Sequence, residues 1–318
     1  MCQSAKYRQP LLTGKPKMRL IHLTDLHLTS LAHCALAQLR GKRWSGYLSW
    51  WKNRRWQHSA DMLEQVRVAV AAENADRVLI TGDLVHIGLP AEIAAAGDWL
   101  RRLASPKKVL LIPGNHDSYA GDCGAQMTCH WADYLHLPPA TTAALGADQY
   151  PLQIDQGGLA LIGLNSAVPA PLFMATGRLG SAQLQRLAHS IRAAKANSAL
   201  VWVLIHHPPW PGQTDWRRAL TDAPALAKVL TEAGADLVLH GHLHRNLALQ
   251  HGALRIFGTA SASSVVASRP ASYRLFDVSR QAAGWTLRMQ LKQAELAAPG
   301  KFLVIADQTW QVPLAPAH

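Results

Sequence analysis

Short apolar blocks alternate with longer stretches of helical periodicity through most of this chain, and each block ends on polar residues. Met18–Leu23 predicts a first core strand. Ser59 predicts the cap of a helix over Ala60–Ala72, with Asp61 and Glu64 in the first turn, where the helix dipole favours acids. Arg77–Ile80 predicts the second strand, Pro90 opens a helix running to about Leu103, and Lys108–Ile112 predicts the third strand. Further along come a helix over 122–137, a strand at Leu159–Leu164, and a Ser181-capped helix to about Ala196. A strand at Leu200–Ile205 follows, cut off by Pro208–Pro209, then a helix over Ala223–Ala233 and a strand at Ala235–Leu239. This rhythm predicts a doubly wound α/β sheet with its site at the carboxyl ends of the strands. The later runs at Leu254–Phe257, Tyr273–Val278, Trp285–Gln290, Phe302–Ile305 and Gln308–Val312 predict antiparallel strands that make the sheet mixed.

The segment 31–58 breaks the pattern. Arg40, Lys42, Arg43, Lys52, Arg54 and Arg55 interleave with Trp44, Tyr47, Trp50, Trp51 and Trp56, and no acidic residue occurs between Leu26 and Ala60. Tyr47, Trp50, Trp51 and Arg54 have helical spacing, which predicts one largely aromatic face with basic flanks. Such a helix can lie in a membrane interface, line a groove for an amphiphilic anion, or simply pack on the body with its arginines solvated.

Composition narrows the class. A chain of 318 residues, 49% of them apolar, can bury a full core. The expected organisation is a basic tail at 1–17, then one domain at 18–318 with the 31–58 insertion and a C-terminal β extension at 254–312. No run approaches the roughly 18 apolar residues of a membrane span. Residues 1–17 lack the apolar region of a secretory signal, and the four cysteines have no metal or redox spacing, so a reducing, cytoplasmic setting is expected. The excess of 32 basic over 20 acidic residues favours an anionic partner.

The chemistry lies at the strand ends. Asp25-x-His27 follows the first strand, Gly82-Asp83 the second and Gly114-Asn115-His116-Asp117 the third; His206-His207-Pro208 and Gly241-His242-x-His244 follow later ones. Carboxylate, amide and imidazole donors suit manganese, iron, cobalt or zinc. In this order the motifs resemble the calcineurin-like metallophosphoesterase superfamily over about Met18–Arg245. The Asn-His-Asp and His-His-Pro-Pro forms are most similar to bacterial class III cyclic-nucleotide and glycerophosphodiester phosphodiesterases. The resemblance implies a layered sandwich of mixed β-sheets flanked by helices, and two divalent ions. Asp25, His27 and His244 would hold one ion, Asp83 would bridge, and Asn115, His206 and His242 would hold the other. His116 would stabilise the transition state or protonate the leaving oxygen, and a metal-bridging hydroxide would attack phosphorus in line.

Asp117, His207 and His240 are expected behind the ligands or facing substrate. The family pattern favours His206 over His207 as ligand, and for His240 a buried, hydrogen-bonded core residue is the favoured reading. Arg40, Arg43, Trp44, Tyr47, Trp50, Trp51, Arg54 and Arg55 form a candidate substrate or membrane segment. That segment keeps a second reading open, a lipid-linked or nucleotide-sugar pyrophosphate hydrolase at the inner membrane face. A nuclease is disfavoured, because the basic residues outside 40–55 are dispersed. A metal-free interaction module is disfavoured too, because every expected ligand position holds a competent residue.

Overall fold

The computed structural model describes residues 18–314 apart from 29, 33, 139, 140, 142 and 198. The basic tail at 1–17 lies outside the described residues. Two six-stranded sheets pack face to face. The first has β1 (Met18–Leu23), β2 (Arg77–Thr81), β3 (Val109–Ile112), β10 (Ser272–Gln281), β11 (Gly284–Ala294) and β12 (Phe302–Pro313), in the order β12-β11-β10-β1-β2-β3. The second has β4 (Leu152–Gln156), β5 (Leu159–Gly163), β6 (Leu200–Leu204), β7 (Leu237–His240), β8 (Leu247–His251) and β9 (Leu254–Gly258), in the order β4-β5-β6-β7-β9-β8. β1-β2-β3 and β5-β6-β7-β9 are parallel runs, flanked by antiparallel strands.

Burial on both faces explains why these strands read as unbroken apolar runs. Leu20, Leu79, Leu110, Leu161, Trp202, Leu239 and Phe276 point between the sheets. Their neighbours point outward: Ile21, Ile80 and Leu111 join a helical layer containing α2 (Ala60–Ala72) and α3 (Pro90–Leu103). Ile162, Val203 and Val238 meet α5 (Ser181–Ala196) and α6 (Ala223–Ala233). Each fully buried side chain of this kind contributes about 1.5–3 kcal/mol relative to exposure, so the layered order is set by strand alternation.

Several expectations are corrected. The chain builds two sheets rather than one doubly wound sheet, because β4 and β5 pair as an antiparallel hairpin and start a second sheet after β3. Of the 254–312 runs, β9 lies beside β7 in parallel and β10 pairs antiparallel with β1, setting Leu20 opposite Phe276, while β12 forms the exposed edge of its sheet. Residues 302–313 form one strand with a register irregularity opposite Leu291/Lys292. The helix expected over 122–137 is α4, Cys123–Trp131. β4 and β8 went unforeseen because they are half-exposed edge strands rich in polar residues.

The 31–58 insertion contains α1 (Lys42–Lys52). Gly46 lets it approach the body closely, since a Cβ there would stand 2.4 Å from the Tyr119 hydroxyl and 2.6 Å from Ile87. The helix ends at Lys52, so Tyr47, Trp50, Trp51 and Arg54 do not share one face. Trp50 is buried, Trp51 is exposed, and Arg54 lies in the following turn. No helix among the described residues is long and apolar enough to cross a membrane.

Candidate metal centre

The loops after β1, β2, β3, β6 and β7 converge at one end of the sandwich. Backbone bonds register them: Asp25 N donates to Gly82 O (3.0 Å), His27 N to Asp83 O (3.0 Å) and Gly241 N to His206 O (3.1 Å). Five residues expected as ligands hold left-handed backbone: Asp25 (φ 51°), His27 (42°), Asp83 (56°), His242 (69°) and His244 (50°). Non-glycine residues in that region cost on the order of 1–3 kcal/mol each and persist where surrounding structure fixes them. Gly241 is needed for space rather than for its own φ, because a Cβ there would come within 1.9 Å of Thr24 Oγ1 and 2.6 Å of Asp25 Oδ2.

Asp117 is the clamp. Its carboxylate accepts from the backbone N–H of Gly114, Asp83 and Leu84, each at 2.8 Å, and of Val85 at 3.2 Å. It thereby holds the β2 and β3 loops together from behind. Burial and the neighbouring Asp83 charge push the Asp117 carboxyl up to about 7.

Hydrogen bonds to carbonyls, which only accept, fix the tautomers of the site histidines. His27 Nδ1–H donates to Val85 O (3.0 Å) and His206 Nδ1–H to Thr81 O (2.7 Å), so Nε2 is the lone-pair atom of neutral His27 and the atom that His206 frees when it loses its second proton. His242 is reversed: Nε2–H donates to Arg218 O (3.0 Å), leaving Nδ1. These lone-pair atoms face one another and the acids. His242 Nδ1 lies 3.2 Å from His206 Nε2, which is 3.0 Å from Asn115 Oδ1 and 3.3 Å from Asp83 Oδ2. His27 Nε2 lies 3.2 Å from His244 Nε2, itself 3.1 Å from Asp25 Oδ1. Asp25 Oδ2 accepts from Thr24 Oγ1 and His242 N, whereas the buried Oδ1 accepts no hydrogen bond.

The donor set therefore fits two cations. Asp25, His27 and Asp83 form one group with donor atoms within 4.8 Å of one another; Asp83, His206 and His242 form another, with Asp83 common to both. Burial would raise the Asp25 carboxyl, but the His244 and His206 imidazoles and the Thr24 hydroxyl hold it down at about 2. Burial would lower His206, but the Asp83 and Asp25 carboxylates raise it to about 9. Burial, then neighbouring imidazoles, pushes His27 and His242 down, so both rest neutral.

His116 Nδ1–H donates to His86 O, and its ring stacks on Tyr119. Burial and the Arg54 guanidinium, whose Nη1 is 3.2 Å from Nδ1, push His116 down. His207 is satisfied at both nitrogens: Nε2–H donates to Ala175 O (3.3 Å) and Nδ1 accepts from Ser166 Oγ (2.8 Å). It backs the His242 ring at 4.6 Å between centroids and offers no lone pair to an ion. His240 does not face substrate. It is fully buried, its Nδ1 bonds Gly241 O (3.1 Å), and its ring abuts Gly258.

The insertion divides in two. Arg43 is tied to Ile87 O, Gly88 O and Asp122, and Arg54 reaches the site, whereas Arg40 is exposed. Arg55 lies over the rings of Trp51 (4.9 Å) and Trp56 (4.5 Å). A cavity of about 250 Å³ beside Asn115 and His116 is walled by Lys42, Arg54, Tyr119, Phe173, Met174 and Arg218. Sequence reasoning missed His58 and His86. Their rings lie 4.5 Å and 5.1 Å from that of His27, but neither sits in a recognisable spacing.

The two sheets, their strand-end loops and the shared carboxylate are those of a phosphoesterase built for two ions, and residues 18–246 match the calcineurin-like phosphoesterase family model, so the chain belongs to that family. It is 25% identical over 253 residues, 79% of this chain and 78% of the relative, to the 3′,5′-cyclic adenosine monophosphate phosphodiesterase CpdA of Escherichia coli K12. The Pseudomonas aeruginosa protein of the same name is 29% identical over 234 residues, covering 71% and 75% of the two chains. A dimetal phosphatase structure from Danio rerio superposes with a TM-score of 0.66 at 13% identity, covering 93% of this chain and 99% of that one, which is a likeness of fold. The chain is thus a metal-dependent phosphoric ester hydrolase.

Proposed function

We propose that the enzyme hydrolyses a small soluble phosphodiester, of which a 3′,5′-cyclic nucleotide is the first candidate. The carrying observation is that Asp83 stands between two donor groups whose histidines are set, by carbonyl hydrogen bonds, to face it with lone pairs. Asp25, His27 and His244 would hold one divalent ion, Asn115, His206 and His242 a second, and Asp83 both. When bound, such a pair supplies a nucleophilic oxygen at neutral pH and offsets the charge that develops on the phosphoryl group.

The chain's own residues do the rest. Lys42, Arg54 and Arg218 wall the cavity beside the donors with positive charge, while Phe173 offers an aromatic face to a base. His116, neutral with Nδ1–H spent on His86 O, keeps Nε2 to take a proton from the attacking water and return it to the leaving oxygen. The similarity to relatives named for cyclic adenosine monophosphate supports this substrate class.

A second reading is favoured by one observation: Trp44 (49%), Leu48 (49%) and Trp51 (48%) expose an apolar stripe at helical spacing on α1. With Arg40 and Lys52 beside it, that stripe suits the surface of an anionic membrane and hence a lipid-linked phosphate. A side-by-side assay on manganese-loaded protein, with 3′,5′-cyclic AMP and a detergent-solubilised acylated nucleotide sugar, separates the two. Turnover of the cyclic nucleotide alone supports the first reading. Turnover of the lipid alone replaces it with the second.

A further inference from the structure

His58 closes the insertion and pairs, through its backbone, with Ser264 at the opposite end of the sequence. Its ring is held by a directional relay. Ser261 Oγ–H donates to Asp25 O, so at its 3.2 Å contact with Ser263 Oγ the Ser261 oxygen accepts. The Ser263 proton is thereby spent, and Ser263 Oγ accepts from His58 Nδ1–H at 2.8 Å. The His58 lone pair is left on Nε2, which is buried and has no hydrogen-bond partner. Its ring lies 4.5 Å from that of His27 and 5.4 Å from that of His244, and donor atoms of the three histidines lie within 4.8 Å of one another.

A histidine kept only for packing satisfies both nitrogens, as His207 does. The orphan nitrogen of His240 abuts the Gly258 backbone, and among the described residues it belongs to no cluster of three or more metal donors. His58 instead has the tautomer of His27 and faces the same donor group.

We infer that His58 is a further protein ligand of the ion that Asp25, His27, Asp83 and His244 would hold, supplied by the insertion rather than by a strand end. The inference rests on the two-ion reading above. It makes metal occupancy depend on the docking of the insertion, so that the segment walling the substrate cavity also completes the metal shell. A fifth protein donor on this ion suits metals that accept five or six ligands over those confined to four.

Titrating Co²⁺ into metal-free protein against a chromophoric chelator tests it. Wild type should bind two ions, and His58→Ala should weaken one of them by roughly 10–100-fold, leaving the other unchanged. Unchanged affinity for both ions in a folded His58→Ala protein overturns the assignment. Fewer than two ions in wild type would instead sink the two-ion reading, so the two failures are distinguishable. Should His58→Ala not fold, ¹⁵N-histidine NMR of Co²⁺-loaded wild type decides. A paramagnetically shifted Nδ1–H resonance that moves in Ser263→Ala supports ligation by His58, and its absence overturns it.

Discussion

The strand-end loops and the 31–58 insertion meet at one site but are built by opposite means. The loops are buried, cross-bonded through the backbone and clamped by Asp117, and they hold non-glycine residues in left-handed backbone. The insertion lies on the surface, with one edge anchored through Trp50, Arg43 and Arg54 and the other edge presenting Trp44, Leu48 and Trp51 to solvent. Donor placement tolerates little error, and all the motif donors sit in the part of the fold with the most constraints. The insertion adds only His58 to that donor cluster and otherwise walls the cavity beside it with Lys42 and Arg54.

The sharpest way to break this comparison is Asp83→Ala. The residue serves both donor groups and its Oδ1 accepts His116 N (2.7 Å), so turnover should fall at least ~1,000-fold, with metal stoichiometry reduced. Asn115→Ala should follow at roughly 100-fold, weakening the ion shared with His206 and His242 while circular dichroism stays native. Retained stoichiometry in both proteins would show that the loops do not carry the metals.

His116→Ala should separate metal holding from proton transfer. Both ions should remain, and turnover should drop by about 10²-fold, most for diesters with poor leaving groups. If the variant instead loses an ion, His116 belongs with the ligands.

Much of the loop side was legible in the sequence. The motifs that hold Asp25, His27, Asp83, Asn115, His206, His242 and His244 stand out because each follows an apolar run, and parallel strands deliver such ends to one edge; naming these seven as ligands rests on the resemblance of the ordered motifs. The break into two sheets was not legible in the apolar runs, since a strand buried on both faces reads the same in either; the layered sandwich of mixed sheets was implied only by the resemblance of the motifs, and it is what the chain builds. The family pattern favours His206 over His207, but the physical reason, the hydrogen bonds of their ring nitrogens, is encoded in no spacing. On the insertion side the sequence showed composition without partition. Arg43 and Arg54 look like Arg40 in the sequence, yet tertiary contacts half-bury the first two and leave the third in water. His58 was hidden for the same reason, because its neighbours Ser261 and Ser263 are some two hundred residues away.

A pH titration of the metal-free protein sharpens the loop side. His206 is raised to about 9 against an ordinary 6.5, so folding binds a proton there. The stabilisation is complete below about pH 6.5 and fades as pH rises through 9. The buried neutral His27, His116, His207 and His242 have the opposite sign and cost stability as pH falls below about 6.5. The metal-free melting temperature should therefore decline from about pH 7 to 9. Because a ligand histidine must be neutral, metal affinity should rise over the same interval with release of a proton. A chelator competition that is flat from pH 7 to 9 would contradict the His206–Asp83 pairing.

The smallest effect is expected from replacing Trp44, Leu48 and Trp51 together with serine. Deleting residues 40–56 would confound the question, because it removes buried Trp50 and the anchors Arg43 and Arg54. The three replacements lie on the exposed edge of α1 and should shift stability by no more than about 0.5 kcal/mol each. Hydrolysis of 3′,5′-cyclic AMP should be unchanged, since none of the three lines the cavity beside Asn115 and His116. Co-sedimentation with vesicles containing phosphatidylglycerol then asks what the stripe is for. Binding by wild type that is lost in the triple variant would place the enzyme at an anionic bilayer and make α1 a docking element. Equal behaviour of the two proteins would leave α1 as a cavity wall, with its tryptophans outside the function altogether.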